Sequence, residues 1–350
     1  MTRSEQILKL IVEHFIKTAQ PVGSHTLLEE YGLDCSSATI RNEMNALEKE
    51  GFLEKTHTSS GRVPSPKGYK YYCDNLRGDR IDSSVKYALQ SVLEKKAQSV
   101  EEVIKQSCSI LADMTNLASV VLGPKINEER LVSIQIIPLS SNSATAVFVT
   151  DQGYVENKTF LLDGKESMDD VVKTVNLLND RLKGTPIADL VDKMEAMKPA
   201  LSDFMVGQDI IYQALLEAFL KFAEERMNLY GKENLLSQPE FADDAKKLRK
   251  LLGLIDDPKA FREALEEDDS SRVSVHIGGD GTEDVAIVSA KVNIPGGKNA
   301  SISLLGPTRM DYEKAMATLD YVSQALDQFF AQDQEGGTSW KNETNNKKPN

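Results

Sequence analysis

Ile7, Leu10, Ile11, His14 and Phe15 recur at i, i+3, i+4, i+7 and i+8 within residues 4–20, which predicts an amphipathic helix closed by Pro21. Ser24 to Gly32 predicts a short second helix, with Ser24 as its cap, Leu27 and Leu28 turned inward and Gly32 at its left-handed end. After Leu33-Asp-Cys-Ser, Ser37 is placed to cap a third helix reaching Gly51, whose inner face is Ile40, Met44 and Leu47. These three helices are expected to share one small core. Residues 52–57 predict a strand, Thr58-Ser-Ser-Gly61 a turn, and Arg62-Val-Pro64 a returning strand that Pro64 and Pro66 confine to an edge. Helix, helix, helix and hairpin is the element order of a winged helix-turn-helix, assigned to residues 1–76.

From residue 77 to 118 the helical period continues through Val85, Leu89, Val92, Leu93, Val100 and Val103, predicting a helical linker. The pattern then changes to strands at 120–122, 131–137, 144–150 and 154–162, divided by Ser/Asn and Asp-Gln-Gly turns. Helical periodicity dominates 167–267, including an unbroken stretch over 209–229, before strands return at 272–277, 284–294 and 300–305 and a helix follows over 311–330. The expected fold class is multidomain α/β of the α+β kind: a mixed domain split between 119–182 and 272–331, interrupted by a mainly helical insertion at 183–271. Residues 332–350 are polar, hold the only Trp, Trp340, and are expected to be a disordered tail.

The length of 350 residues calls for more than one domain. No run of 18 apolar residues is present and the first residues lack the apolar core of a leader, so a soluble, cytoplasmic protein with no membrane partner is expected. Cys35, Cys73 and Cys108 stand 38 and 35 positions apart without a CxxC or a Cys/His cluster, which points to neither a disulfide framework nor a metal site. The four histidines, His14, His25, His57 and His276, have no nucleophile or acid/base constellation around them, so neither an enzyme nor a cofactor is expected. Gly278-Gly-Asp-Gly281 has the glycines of a phosphate loop, but between two strands it reads more simply as a hairpin turn.

A net charge of −13 argues against nucleic acid until its distribution is considered. Residues 1–80 hold 11 Lys and Arg against 11 Asp and Glu, whereas residues 81–350 hold 30 against 43. With Ile40 pointing inward, Ala38, Arg41, Asn42, Asn45 and Lys49 fall on the outer half of the third helix. Arg pairs with guanine O6/N7, Asn with adenine N6/N7, and a methyl group touches the thymine methyl. From Lys55 to Cys73 there is no acid, but there are Lys55, His57, Arg62, Lys67 and Lys70, with Thr58, Ser59 and Ser60 at the tip, a combination suited to phosphate oxygens. Ser36, Ser37 and Thr39, at the start of the third helix, complete the candidate DNA-contacting set.

Three runs carry a family resemblance: Ser36-Ser-Ala-Thr-Ile-Arg-Asn-Glu-Met-Asn45, Leu47-Glu-Lys-Glu-Gly-Phe-Leu53, and His57-Thr-Ser-Ser-Gly-Arg-Val-Pro-Ser-Pro-Lys-Gly-Tyr69. They closely resemble the winged-helix head of the HrcA heat-inducible repressor family, and Leu305-Gly-Pro-Thr-Arg-Met-Asp-Tyr312 resembles that family's C-terminal signature. The polar tail after Gln332 has no counterpart in this match. The resemblance implies a winged helix, a GAF-like domain split in sequence and an inserted dimerisation domain. It also implies repression of the groE and dnaK heat-shock operons through the CIRCE inverted repeat in double-stranded DNA, with release on heat stress and assistance from the GroE chaperonin. A palindromic site requires a two-fold homodimer, and Leu215, Leu216, Phe219, Leu220 and Phe222 of the long inserted helix are the candidate contacts. The alternative is a winged-helix repressor gated by a small ligand in the GAF-like domain.

Overall fold

In the computed structural model, which describes residues 1–55, 61–78, 81–95, 99–123, 129–162, 167–201, 209–222, 227–265, 272–279, 283–294 and 297–336, the chain opens with helix α1 (Arg3–Thr18). Thr2 caps α1 in a reciprocal box with Glu5, and the helix ends at Ala19 in the left-handed region. Helix α2 (Ser24–Tyr31) ends at Gly32, with φ of +60°, as its glycine predicted. Helix α3 (Ser37–Lys49) is capped by Ser36, whose Oγ accepts from the Thr39 amide at 3.1 Å, one residue earlier than the pattern suggested. Ser37 instead lies 3.1 Å from the Ser24 hydroxyl and ties α3 to α2.

Strands β1 (Leu53–Lys55) and β2 (Arg62–Pro64) pair antiparallel, with Leu53 opposite Pro64 and Lys55 opposite Arg62. Val22 exchanges two backbone hydrogen bonds of 2.9 Å with Arg62, binding the hairpin to the α1–α2 connection. Strands of three residues are too short to stand alone. Their support is a core of Ile7, Leu8, Ile11, Val12, Leu27, Ile40, Met44, Leu47 and Leu53, none more than 4% exposed, where each side chain contributes about 1.5–3 kcal/mol relative to exposure. Helix α4 (Pro66–Tyr71) and a π-helical turn (Tyr72–Leu76) complete the head.

The predicted linker consists of two packed helices, α5 (Ser83–Leu93) and α6 (Val100–Thr115), which bury Val85, Leu89 and Val92, and Val103, Cys108 and Leu111 respectively. Strand β3 (Ala118–Leu122) is buried along its whole length. Strands β4 (Leu131–Ser140), β5 (Ser143–Thr150) and β6 (Val155–Leu161) follow, then helices α7 (Met168–Leu182), α8 (Leu190–Leu201) and α9 (Asp209–Phe222). Next come β7 (Met227–Tyr230), α10 (Lys232–Leu236), α11 (Pro239–Ala242), α12 (Ala245–Asp256) and α13 (Pro258–Leu265). Strands β8 (Val273–Ile277), β9 (Val285–Ile294) and β10 (Gly297–Pro307) lead to α14 (Tyr312–Gly336). Residues 332–336, expected in the tail, therefore continue α14, while 337–350 lie outside the described residues.

The chain divides into two compact units, one of residues 1–122, 227–291 and 301–329, the other of 123–226, 292–300 and 330–350. In the first unit a five-stranded sheet runs β7-β3-β10-β9-β8. In the second, β4, β5 and β6 form their own antiparallel sheet over a core that includes Phe148, Phe160, Val171, Leu178, Leu215 and Phe219. The sequence reading put 119–182 in one domain with 272–331 and began the insertion at 183, whereas the contacts group 131–161 with the inserted helices. The departure falls near residue 123 and the return near 227. The departure comes where β4, β5 and β6 form their own sheet, and the return at β7, read from sequence as the end of a helix over 209–229. Met227 to Tyr230 instead pair antiparallel with Leu122 to Ser119. Among the described residues no helix is long and apolar enough to cross a membrane.

Candidate nucleic-acid interface

Helix α3 turns Ile40, Met44 and Leu47 into the head's core and leaves Ala38, Arg41, Asn42 and Lys49 exposed, along with its cap Ser36. Ser37, Thr39 and Asn45 are half-buried. No acid occupies the first turn. The exposed face thus presents a guanidinium, a carboxamide, an ammonium and a methyl group, the donors, acceptors and apolar contact that distinguish base edges.

Arg62, expected among the phosphate-facing cations, is only 6% exposed. Its Nε and Nη2 both donate to Glu48 Oε2 at 2.7 Å, and Nη2 also donates to Asn45 Oδ1 at 2.9 Å. Lys55 lies 3.5 Å from the other Glu48 oxygen. Residues directly opposite in an antiparallel pair project from the same face, so the Lys55–Arg62 register delivers both cations to one carboxylate on α3. Arg62 is a brace between hairpin and helix. Glu48 is the residue that sequence reasoning missed; its one available signal is the i,i+3 spacing from Asn45, which puts both on one helical face. With Asn45 Oδ1 accepting from Arg62, the Asn45 amide hydrogens are the half of that side chain left to face outward.

Lys67 and Lys70 are exposed on α4. Lys67 Nζ donates to the Glu50 carbonyl at 2.7 Å and stands 4.5 Å from the centre of the Phe52 ring. Helix α4 sits flush against the end of α3 because Ser65 donates to the Gly51 carbonyl at 2.6 Å and caps Gly68. A Cβ at Gly68 would lie 2.1 Å from the Phe52 carbonyl oxygen, so only glycine permits this approach. The expected hairpin-tip contacts His57, Thr58, Ser59 and Ser60 lie outside the described residues.

The head is fastened to the rest of the first unit by residues of the C-terminal signature. The Tyr312 ring packs 5.3 Å from that of Tyr69, and Arg309 donates both to Glu240 and, at 3.4 Å, to the Ile16 carbonyl. Burial pushes the Tyr69 hydroxyl well above its ordinary range. The glycines at 278 and 279 have φ of +66° and +126°, and the Gly278 amide donates to the Val285 carbonyl at 3.0 Å. They leave β8 for antiparallel β9, with no helix following the loop as a phosphate cradle requires.

Of the candidate dimer contacts, Leu215 and Phe219 are fully buried within their own unit, where Phe219 meets Phe148 edge-on at 5.3 Å. They are core residues, because α9 covers the inner face of β4, β5 and β6. Leu216 is partly buried, Leu220 is 53% exposed, and Phe222 closes the helix. The exposed large apolar side chains of this unit also include Ile137, Leu139, Val155 and Leu161 of the three-stranded sheet.

These features define a multidomain α/β protein whose candidate nucleic-acid face lies on an N-terminal helical head. The chain belongs to the HrcA family: the family described as HrcA protein C terminal domain matches residues 101–316. The heat-inducible transcription repressor HrcA of Bacillus pumilus is 39% identical over 327 residues, covering 91% of this chain and 95% of that protein. The repressor of the same name from Halalkalibacterium halodurans is 37% identical over 326 residues, covering 91% of this chain and 94% of that one. A solved structure of a hypothetical protein shares the fold, with a TM-score of 0.62 at 23% identity over 95% of this chain and 99% of that chain.

Proposed function

We propose that this protein is a heat-inducible transcription repressor whose residues 1–76 act as a winged helix-turn-helix on double-stranded DNA. The observation that carries the proposal is the exposed face of α3, with Ala38, Arg41, Asn42 and Lys49 outward and acids absent from its first turn. In a helix-turn-helix the second helix of the pair enters the major groove. Arg41 then takes guanine O6/N7, Asn42 takes adenine N6/N7, and the Ala38 methyl meets thymine. Asn45 offers its amide hydrogens to a base or phosphate acceptor. Lys67 and Lys70 on α4 and the hydroxyls of the hairpin tip provide phosphate contacts that fix register without reading sequence. The acidic remainder of the chain is repelled by the duplex, which favours approach through the head.

The operator is the CIRCE inverted repeat before the groE and dnaK operons, bound by a homodimer in the cytoplasm, with the GroE chaperonin restoring the active form and heat withdrawing it. Two heads on one palindrome require the chains to pair. The second unit, an inserted domain, serves this pairing through Leu220 and the exposed Ile137, Leu139, Val155 and Leu161 of its sheet rather than through Leu215 or Phe219. The five-stranded sheet is the GAF-like scaffold that carries the head.

The test is fluorescence anisotropy of a labelled duplex bearing the inverted repeat against a scrambled duplex, at two salt concentrations, with chaperonin present. One phosphate contact each from Lys49, Lys67 and Lys70, all exposed, gives a dimer a slope of log K against log salt of about −5. Equal binding to both duplexes by folded, dimeric protein would overturn the proposal.

A further inference from the structure

The turn between β10 and α14, together with Tyr312 at the start of α14, reaches the head at two points. Its own position is fixed by three hydrogen bonds. The Thr308 amide donates to the Asp284 carbonyl at 3.3 Å, the Met310 amide to the Pro307 carbonyl at 2.9 Å, and the Tyr312 hydroxyl to the Thr308 carbonyl at 2.6 Å. The turn is a fixed mount on the five-stranded sheet.

Arg309 holds the end of α1. The last four carbonyls of a helix lack an amide partner within the regular helix, and that of Ile16 is one of them, because the Gln20 amide goes to Thr18 Oγ1 at 3.1 Å. Arg309 Nη1 donates to the Ile16 carbonyl at 3.4 Å, at the negative end of the helix dipole, while Nε and Nη2 donate to Glu240 of α11. One guanidinium therefore joins head and body.

Tyr312 holds α4. Its ring is buried and packs 5.3 Å from the buried ring of Tyr69. The Tyr69 hydroxyl has no hydrogen-bond partner, so this contact works through the aromatic ring and has no use for the phenol. Both attachments bear on the reading helix: α1 packs on α3 in the head's core, and α4 abuts the end of α3 through Ser65 and Gly68.

We propose that Arg309 and Tyr312 are positioning residues for DNA recognition: they fix the attitude of α3 to its own unit, and so set which spacing of half-sites two heads can occupy together. This role rests on α3 reading DNA, as proposed above. When two heads are joined, occupation of the second half-site is intramolecular, and its advantage is greatest where the joined geometry matches the span and is lost where it does not. A head free to turn on its unit forfeits part of that advantage at the matched spacing and tolerates other spacings.

The full chain and its Arg309→Ala, Arg309→Gln and Tyr69→Phe variants are compared by anisotropy on four duplexes: the inverted repeat, the same repeat with its spacer lengthened by half a helical turn of about five base pairs, a single half-site and a scrambled sequence. The parent is expected to lose about tenfold or more on lengthening the spacer, and the Arg309 variants less than about threefold, with single half-site affinity unchanged within about twofold. Tyr69→Phe keeps the ring and is expected to keep the parent's preference. A general loss of stability would weaken the half-site as well, and the glutamine variant keeps the test open should alanine misfold. Without DNA, hydrogen exchange at residues 16–20 and 72–78 is expected to quicken in the Arg309 variants while that of α3 stays unchanged. Retained spacing preference in folded Arg309 variants, half-site affinity falling in step with that of the repeat, unchanged exchange, or loss of preference in Tyr69→Phe would each overturn the proposal. A parent that binds the repeat and the scrambled duplex equally would refute the DNA-binding reading and this role together; a parent that discriminates, with Arg309 variants equally sensitive to spacing, would refute this role alone.

Discussion

Replacing Arg62 by alanine separates the two roles available to this cation. The side chain makes two 2.7 Å contacts to Glu48 and one of 2.9 Å to Asn45 Oδ1, and it is 6% exposed. Removing one partner of a fully buried ion pair costs about 3–5 kcal/mol. Here the Glu48 side chain is 27% exposed and keeps Lys55 at 3.5 Å, so solvent and the second cation reduce that loss to about 2 kcal/mol. The stranded Asn45 oxygen adds up to about 1 kcal/mol. For a unit of this size, 2–3 kcal/mol corresponds to a fall in Tm of about 4–12 °C. Scanning calorimetry of the full chain reads this directly, with Arg41→Ala as the comparator. Arg41 is exposed, so its loss is expected to leave the Tm within about 1 °C. If Arg62→Ala melts with the unaltered protein, weakens every duplex alike and lowers the salt slope by about 0.9 per head, Arg62 lies on a phosphate and the brace is refuted.

Arg41→Ala and Asn42→Ala should each cost about 1–3 kcal/mol on the inverted repeat and little on a scrambled duplex, while Lys67→Ala weakens both; a uniform loss across all three in the anisotropy assay would remove α3 from base reading. Burial raises the Cys73 thiol far above its usual range and pushes that of Cys108 up to about 12, while Cys35 is only half-buried. Ellman's reagent is therefore expected to titrate one thiol in the native protein and three after denaturation. The Thr2 backbone amide, then the Tyr71 hydroxyl, hold Glu5 below the ordinary carboxylate range. A depressed folded pKa stabilises above the unfolded value and is lost as pH falls through the folded one, so the Tm gap between the parent and Glu5→Gln should close on acidification below about pH 4. Gly253→Ala should raise stability by about 1 kcal/mol in urea unfolding, since its new methyl meets nothing; a fall would mean the surrounding wall closes on it.

Local signals carried most of the head. The period of α1 and α3, the left-handed end at Gly32, and Pro64 at the close of β2 each act within one or two turns of chain, so they are legible locally, although Leu8 and Val12 rather than Leu10 and Phe15 complete the buried face of α1. The exposed positions of α3 follow from the helical wheel, because one buried stripe fixes the opposite face; the neighbouring serines at its start blur the cap by a single residue. The partners of charges and strands were beyond that reach. Counting cations over residues 55–73 says how many there are, but only the Lys55–Arg62 register and the fold of α3 reveal that Glu48 has taken one of them into the interior. Apolar residues on α9 have the same spacing whether they enter their own core or another chain, and tertiary packing put Leu215 and Phe219 inside. Likewise the residues of β7 follow a helix in the sequence pattern, yet long-range pairing with β3 gives their backbone groups a sheet and moves the boundary of the insertion. Sequence determined the elements because their energetics are local; the tertiary structure decided the partners because burial and strand pairing join residues more than a hundred positions apart.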